Sequence, residues 1–320
     1  MKFIPGILIT VALTLLISNY FLNKGSTVIP VDNQLITGSV QGSDLKYFNE
    51  GIIVVSENQN DKEKFVLEMD LSRKEINKGN FLHYYTAHIF QNGKKKTIQT
   101  NFYSNSPEIK ANAFLPSYTH TTADDLSTRE NYVFSLTIDD KKIKVSTSGL
   151  EGDFITKNDI AYTRYLSIGK GDVEMNGEKI KTNVVLENIY SADSGKYLFF
   201  SDIEELSSRT YRFLVWDTDN NFYLLDDSTV SRDSPFYRPH TWVLYKNAAG
   251  NYMQKFFEAK VSFQESEKTW KVTLPNLSTE LTLTTPDSIA ENWTSGSVTG
   301  TAKTKDGTKA IFGSYSYKKS

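Results

Sequence analysis

Short runs in which apolar and polar residues alternate recur along most of this chain, separated by turn-forming residues. Lys144–Thr147 and Thr282–Thr284 show the alternation clearly, because one face of each run is apolar and the other is polar. A period of two places successive side chains on opposite faces of a β-strand, so each run predicts a half-buried strand. Segments rich in Asn, Asp and Gly join several runs into predicted hairpins. These hairpins span Phe81–Ser104, Tyr132–Gly149, Tyr211–Asp227, Thr241–Gln264, Trp270–Thr285 and Ser295–Tyr317.

Helical periodicity is scarce, so the pattern predicts an all-β protein. Only Asp70–Lys78 and Asp202–Ser208 are expected to form short helices. The aromatic hairpin at Phe81 is followed after about fifty residues by a second strand pair, and the one at Tyr211 by another after about sixty. This echo predicts two similar antiparallel barrels or sandwiches in tandem. Closed barrels of about eight strands can hold one small ligand among their interior side chains.

The N-terminal run Phe3–Leu22 carries no charged residue and follows Lys2. About twenty residues at about 1.5 Å each can cross the hydrocarbon core of a membrane as a helix. An uncleaved signal anchor and a cleaved signal peptide both remain open, and either predicts that the rest of the chain is exported to the periplasm or cell surface. We therefore divide the chain into a signal segment (1–24), a linker (25–44), an N-terminal β domain (45–160) and a C-terminal β domain (161–320).

Composition narrows the functional classes. The net charge of -2, with no dense Lys/Arg block, disfavours nucleic-acid binding, which needs a basic surface. The absence of cysteine excludes thiol catalysis, Cys-ligated zinc and iron–sulfur clusters. We expect no cofactor and no metal. Aromatic residues make up 13% of the chain, which favours strands that enclose ring-lined interiors.

Few residues suggest chemistry, and no nucleotide-binding, hydrolase or zincin motif is present. His83 and His88 share a predicted strand at odd spacing, so they should point to opposite faces and cannot chelate one metal. Glu187 lies among apolar neighbours in Val184–Tyr190. Burial would raise the pKa of such an acid, so that it could stay protonated near neutrality. Alternatively, Glu187 points to solvent or pairs with a lysine.

Three segments resemble the lipocalin-like family of carotenoid 1,2-hydratases and AttH-like secreted proteins. They are YTRYLSIGKGDVEMNGEKIKTNVVLENIY (162–190), YRFLVWDTDNNFYLL (211–225) and the closing strands of 269–317. The resemblance implies two lipocalin-like barrels packed together, with an apolar cavity between or inside them. The family's acidic Asp-(Arg/His)-Glu-Trp motif is replaced here by Leu186-Glu187-Asn188-Ile189, so the likeness in fold is better preserved than the likeness in catalytic residues.

Three functions follow as hypotheses. The first is a membrane-tethered carrier of a hydrophobic small molecule or lipid, with a pocket of few charges. The second is a hydratase or isomerase acting on an apolar, isoprenoid-like substrate. In that case Glu187 is the proton donor, Tyr165 is a catalytic partner and Trp216 stabilises a cation. The third is an envelope scaffold whose interior is filled by its own side chains. The candidate ligand-binding residues are Tyr162, Tyr190, Trp216, His83 and Tyr85.

Overall fold

The computed structural model describes thirteen stretches of the chain, and its secondary structure is almost entirely β. The described residues are 29–30, 47–57, 65–91, 94–106, 118–122, 132–138, 141–157, 163–191, 207–230, 239–249, 252–256, 259–285 and 294–319. The helices in these stretches are two single 3₁₀ turns, Glu265–Glu267 and Pro275–Leu277. Among the described residues no helix is long and apolar enough to span a membrane. The apolar run Phe3–Leu22 and the predicted linker up to about residue 44, apart from 29–30, lie outside them.

The first sheet contains ten antiparallel strands. They are β1 (Ile29–Pro30), β2 (Tyr47–Ser56), β3 (Phe65–Asn77), β4 (Asn80–Gln91), β5 (Lys94–Ser104), β6 (Tyr118–Thr122), β7 (Tyr132–Ile138), β8 (Lys141–Lys157), β9 (Thr163–Met175) and β10 (Glu178–Ser191). Their spatial order is β5-β4-β3-β2-β10-β9-β8-β7-β6, and β1 pairs with β8.

The second sheet contains nine antiparallel strands. They are β11 (Ser207–Asp217), β12 (Phe222–Val230), β13 (Pro239–Lys246), β14 (Tyr252–Phe256), β15 (Lys260–Gln264), β16 (Thr269–Leu274), β17 (Thr279–Thr284), β18 (Thr294–Thr304) and β19 (Gly307–Lys319). Their spatial order is β14-β13-β12-β11-β19-β18-β17-β16-β15. Five of the six predicted hairpins are present, including β4–β5, β7–β8 and β11–β12. The sixth, Thr241–Gln264, is present only as β13–β14, which ends at Phe256, because Lys260–Gln264 forms β15 and pairs with β16 at the other edge of the sheet.

The two sheets repeat one plan of nine strands. If β1 is left aside, the first four strands of each sheet form a meander and the last five form another. The first strand of the plan pairs with the last, β2 with β10 and β11 with β19. Each sheet is curled into a half-barrel. The predicted all-β tandem architecture is therefore confirmed. The predicted echo matches the repeat in part: β7–β8 and β16–β17 hold equivalent places, whereas the Phe81 hairpin is β4–β5 and the Tyr211 hairpin is β11–β12, which do not.

One predicted boundary and one predicted helix differ from the structure. Strands β9 and β10 lie in the predicted C-terminal domain (161–320), yet β10 pairs with β2 inside the first sheet. The first sheet therefore extends to Ser191, because its last strand must return to meet its first. Asp70–Lys78 forms no helix, since Asp70–Asn77 continues strand β3. Only 207–208 of the other predicted helix are described, and they begin β11.

Each half-barrel has its own apolar core on its inner face. The first core includes Ile52, Val54, Phe65, Leu67, Met69, Tyr85, Val145 and Val184. The second is richer in rings and centres on Trp270, whose ring lies 5.1 Å from that of Phe213 and 5.2 Å from that of Tyr317.

The outer faces of the two sheets pack against each other. A third apolar cluster joins them, and it contains Ile53, Val55, Val66, Phe90, Leu166, Ile168 and Val185 from the first sheet and Leu214, Trp216, Phe222, Leu224, Leu244 and Phe312 from the second. Alternation along the strands explains the division, because Val184 faces the first core and Val185 faces the second sheet. In this layer, buried side chains fill the space where an apolar cavity between the barrels was expected.

Candidate functional site

His83, Tyr85 and Arg73 lie together on the inner face of the first half-barrel. Residues 83 and 85 of β4 share a face because they are two apart, and Arg73 of β3 is the register partner of His83. His83 and Tyr85 are fully buried, and Arg73 is 5% exposed. We call the group formed by Arg73, Phe81, His83, Tyr85 and Phe102 the His83 site.

Hydrogen bonds fix the state of the His83 ring. Its Nε2 lies 3.2 Å from the carbonyl oxygen of Ser106, and its Nδ1 lies 3.2 Å from the Tyr85 hydroxyl. A carbonyl only accepts, so Nε2–H donates to Ser106 and the neutral ring accepts at Nδ1 from Tyr85. Burial lowers the pKa of His83, and the nearby charge of Arg73 lowers it further, against the opposing effect of the Ser106 hydrogen bond. The imidazole is therefore neutral at physiological pH.

Aromatic rings surround these polar groups. Phe102 stacks on His83 with ring centroids 4.6 Å apart and an angle of 11° between the planes. Tyr85 meets the edge of Phe102 at 5.5 Å. The guanidinium carbon of Arg73 lies 5.0 Å from the centre of the Phe81 ring. The site thus places the guanidinium of Arg73, the hydroxyl of Tyr85 and the neutral imidazole of His83 among aromatic rings.

The predicted acid, Glu187, lies on the opposite face of the first sheet, in the layer between the half-barrels. It is 2% exposed and accepts a hydrogen bond of 2.7 Å from Nη2 of Arg212 in the second sheet. Arg212 Nε lies 4.0 Å from Asp226. This ion pair stabilises the carboxylate form of Glu187, whereas the proposed proton donor needs the acid form.

A second carboxyl of this layer, Glu68, has the protonation behaviour that was expected of Glu187. Glu68 of β3 is half-buried and points to the same side as Val66. Burial raises its pKa from 4.5 to about 7, and the charge of Asp70 adds to the rise. Arg212, the Ser314 hydroxyl and Lys95 act in the opposite direction. Glu68 was not among the predicted site residues, although Val66-Leu67-Glu68 repeats the pattern Val185-Leu186-Glu187.

The remaining predicted residues are dispersed. Trp216 is buried in the layer between the sheets, 4.8 Å from the Phe222 ring, and so faces away from the His83 site. Tyr165 and Tyr190 belong to β9 and β10, where they pair in register with Asn188 and Thr163 respectively. Their side chains, and Tyr162 as a whole, are outside the described part of the structure. Of the predicted ligand-binding residues, the structure brings His83 and Tyr85 together.

A cleft of about 340 Å³ opens at one end of the second half-barrel. Tyr223 and Tyr245, whose rings are 5.1 Å apart, belong to its wall. Its size matches the pocket expected of a carrier, but its charge does not, because two aspartates and two lysines also line it. These charged residues are Asp219, Lys305, Asp306 and Lys309.

Metal ligands are not clustered in the part of the chain that the structure describes. In those stretches no three His, Cys, Asp or Glu side chains are arranged to hold a metal ion. His83 and His88 point to opposite faces as predicted. His88 is hydrogen-bonded at 2.9 Å to the Thr97 hydroxyl, and burial, with a smaller effect of Lys95, lowers its pKa to about 4.

Two solved structures superpose on both half-barrels together. A Nitrosomonas europaea protein provisionally described as AttH superposes with a TM-score of 0.56 and 12% identity, over 85% of this chain and 91% of that one. The fold is lipocalin-like. Kievitone hydratase from Nectria haematococca also superposes with a TM-score of 0.56, at 9% identity, over 92% of this chain and 94% of that one. No protein-family model and no curated protein sequence matches the chain. The lipocalin-like resemblance seen in the sequence is therefore supported at the level of the fold.

Proposed function

We propose that this protein binds a hydrophobic small molecule or lipid that carries an acidic head group, with the head group at the His83 site. The observation that carries the proposal is the placement of Arg73 and the His83–Tyr85 pair inside a ring-lined half-barrel. The N-terminal apolar run supports a second part of the proposal, that the protein is exported and tethered to a membrane.

The head group follows from the charges at the site. A guanidinium offers several N–H donors in a fixed plane, which suits a carboxylate or a phosphate. The Tyr85 hydroxyl can turn from His83 to such an oxygen. Because His83 is neutral, Arg73 is the cationic donor of the site. Burial lowers the pKa of Arg73, and the charge of nearby Glu75 acts in the opposite direction and favours the charged guanidinium.

The tail of the ligand follows from the surroundings. Leu71, Tyr85 and Ala87 belong to the first apolar core, which begins beside Arg73 and His83. An alkyl or isoprenoid chain entering this region would gain about 25 cal/mol for each Å² of apolar surface removed from water. Met69 and Met175 belong to this core, and the unbranched side chain of methionine can adapt its shape to a neighbouring group.

Competition between an acid and its alcohol tests the proposal. A fluorescent fatty acid is bound to the full chain and displaced by palmitic acid or by hexadecanol. A charge-assisted hydrogen bond contributes about 1.5–3 kcal/mol, so the acid should displace the probe at about 10- to 100-fold lower concentration. Equal displacement by both compounds would contradict an acidic head group at Arg73.

Variants locate the binding site. Arg73→Gln should remove the preference for the acid, whereas Lys271→Met, at an exposed position of β16, should retain it. The comparison of acid and alcohol on the unaltered protein keeps the test decisive if Arg73→Gln folds poorly.

A second candidate function is a hydratase-type enzyme, and Glu68 favours it. Protonation of a double bond needs a neutral carboxylic acid in a partly dry site, and the pKa of about 7 gives Glu68 that form near neutrality. One structural neighbour is a hydratase. Incubation with unsaturated isoprenoid acids in H₂¹⁸O would reveal this activity as incorporation of ¹⁸O. The activity should disappear in Glu68→Gln and persist in Asp172→Asn, which alters an acid of β9 outside this layer. Absence of ¹⁸O incorporation by the unaltered protein would remove this alternative.

A further inference from the structure

The outer surface at one end of the first half-barrel collects the exposed apolar side chains of the described residues. Ile76, Tyr84 and Tyr103 are 45%, 38% and 76% exposed, and they are the large apolar side chains that the described stretches leave exposed. All three lie on the neighbouring strands β3, β4 and β5. We call them, with Leu82, the aromatic tip.

Strand register shows which end of the sheet this is. Tyr103 of β5 pairs with Leu82 of β4, Leu82 pairs with Lys74 of β3, and Lys74 pairs with Tyr47 of β2. Tyr47 is the first residue of β2. The chain therefore enters β2 from the N-terminal side at the same end of the sheet as the aromatic tip.

The pairing of β1 limits how far the N-terminal apolar run can lie from this end. Strand β1 pairs with Phe154 and Ile155 of β8, and six residues separate its first residue, Ile29, from Leu22. Even fully extended, that connection spans at most about 25 Å. Ile155 of β8 pairs with Tyr165 of β9, which pairs with Asn188 of β10, which pairs with Glu50 of β2. Glu50 is three positions from Tyr47 along β2. A membrane that holds Phe3–Leu22 would thus lie close to the end of the sheet that carries the aromatic tip.

The residue types of the tip match this location. Tyrosine is enriched where hydrocarbon meets head groups, because its ring is apolar and its hydroxyl is polar. Lys74 and Lys78 lie beside these rings in β3 and in the turn that follows it, and lysines favour anionic lipids.

We propose that the aromatic tip rests on the lipid head groups of the membrane that holds the N-terminal run, a proposal that depends on the proposed tether. Arg73, His83 and Phe102 are paired across β3, β4 and β5. The next row of paired residues toward the tip is formed by Lys74, Leu82 and Tyr103. The His83 site therefore lies just inside the end of the half-barrel that faces the lipid. A lipid ligand would reach the site from the bilayer, without crossing water.

Single-cysteine labelling tests the proposal on the full chain, which has no cysteine of its own. Tyr103→Cys is labelled with a nitrobenzoxadiazole fluorophore and reconstituted into phosphatidylcholine–phosphatidylglycerol vesicles that contain a lipid with a spin-labelled head group. Lys271→Cys, exposed on the second half-barrel, is the matched control. We expect at least threefold stronger quenching at position 103 than at position 271. Tyr84→Cys should behave like Tyr103→Cys and replaces it if that variant folds poorly.

The outcomes separate the surface from the tether. A chain that fails to float with vesicles lacks the tether, and the proposal fails with it. If the chain floats but is quenched equally at positions 103 and 271, the tether is supported and the proposed contact of the aromatic tip with the membrane is contradicted. Protection of position 103 from both the lipid quencher and aqueous iodide would show that another part of the chain covers the tip, which also overturns the proposal.

Discussion

Arg212 of the second sheet donates a 2.7 Å hydrogen bond from Nη2 to Oε2 of Glu187 in the first sheet, and so links the two half-barrels by a buried ion pair. In the first sheet, Gly51 is the register partner of both Glu187 and Asp70. The Glu187–Arg212 ion pair is therefore a polar link between the two sheets within an otherwise apolar interface.

Removal of one partner of this pair should destabilise the protein. Glu187→Gln leaves the guanidinium in a mostly apolar layer, and we expect a loss of about 2–4 kcal/mol in the free energy of unfolding. Glu57→Gln is the control, since its pair with Lys170 has side chains that are 34% and 44% exposed and should contribute no more than about 1 kcal/mol. Urea unfolding of both variants measures the difference. Equal losses would show that burial of the pair has no energetic consequence.

Glu68 should make stability fall as pH rises. Its pKa is about 7 in the folded protein and 4.5 when exposed, so between these values the folded state binds more protons than the unfolded state. The free energy of unfolding therefore decreases from pH 4.5 to pH 7, by at most about 2–3 kcal/mol from this group. His83 and His88, whose pKa values are lowered, act in the opposite direction.

The difference between the protein and its Glu68→Gln variant isolates this effect, because both contain the same histidines. Relative to the unaltered protein, the variant should gain stability between pH 5 and pH 8 in denaturant unfolding. A constant difference across that range would contradict the raised pKa.

Asp217 should be essential to the turn between β11 and β12. This buried carboxylate accepts hydrogen bonds from the backbone N–H groups of Asp219 and Asn221 and from the Asn221 side chain, at 2.9, 2.9 and 2.7 Å. Asp217→Ala leaves these donors without their acceptor and should cost about 2–3 kcal/mol. Asp306→Ala, in the exposed turn between β18 and β19, should cost less than about 0.5 kcal/mol. Thermal unfolding of the two variants would give the comparison, and similar melting temperatures would contradict the role of Asp217.

Two glycines should tolerate no side chain, because strands pass too closely. A Cβ atom on Gly300 would lie 1.8 Å from the carbonyl oxygen of Thr282, and one on Gly313 would lie 1.9 Å from that of Leu214. Either change to alanine should cost about 1–3 kcal/mol or more, since backbone must move. Thr301→Ala, an exposed neighbour in β18, is expected to stay within about 0.5 kcal/mol of the unaltered protein. Wild-type stability in both glycine variants would refute this close packing.

Alternation was sufficient to predict the strands and hairpins, because it is a local property of the chain. It was insufficient for the sheet boundary, since the pairing of β10 with β2 joins segments more than a hundred residues apart. Asp70–Asn77 was expected to form a short helix, yet buried Leu71 and Arg73 alternate there with less buried residues, as in a strand.

The site residues divide in the same way. Odd spacing correctly placed His83 and His88 on opposite faces of the sheet. The hydrogen bond between His83 and Tyr85 was not predicted. The acid hypothesis chose Glu187 by its apolar neighbours alone, and that criterion applies equally to Glu68. The structure distinguishes the two acids, because Arg212 of the second sheet donates a hydrogen bond to Glu187, whereas burial and the charge of Asp70 raise the pKa of Glu68. The register that brings Arg73 beside His83 likewise had no local signal in the sequence.

Native mass spectrometry of the full chain purified from its own host tests the central claim most directly. We predict a co-purifying adduct that, after extraction, is an apolar molecule with one acidic head group. The adduct should be lost in Arg73→Gln and kept in Lys271→Met. A protein that is always empty, or an adduct that is neutral and unaffected by Arg73→Gln, would contradict the claim.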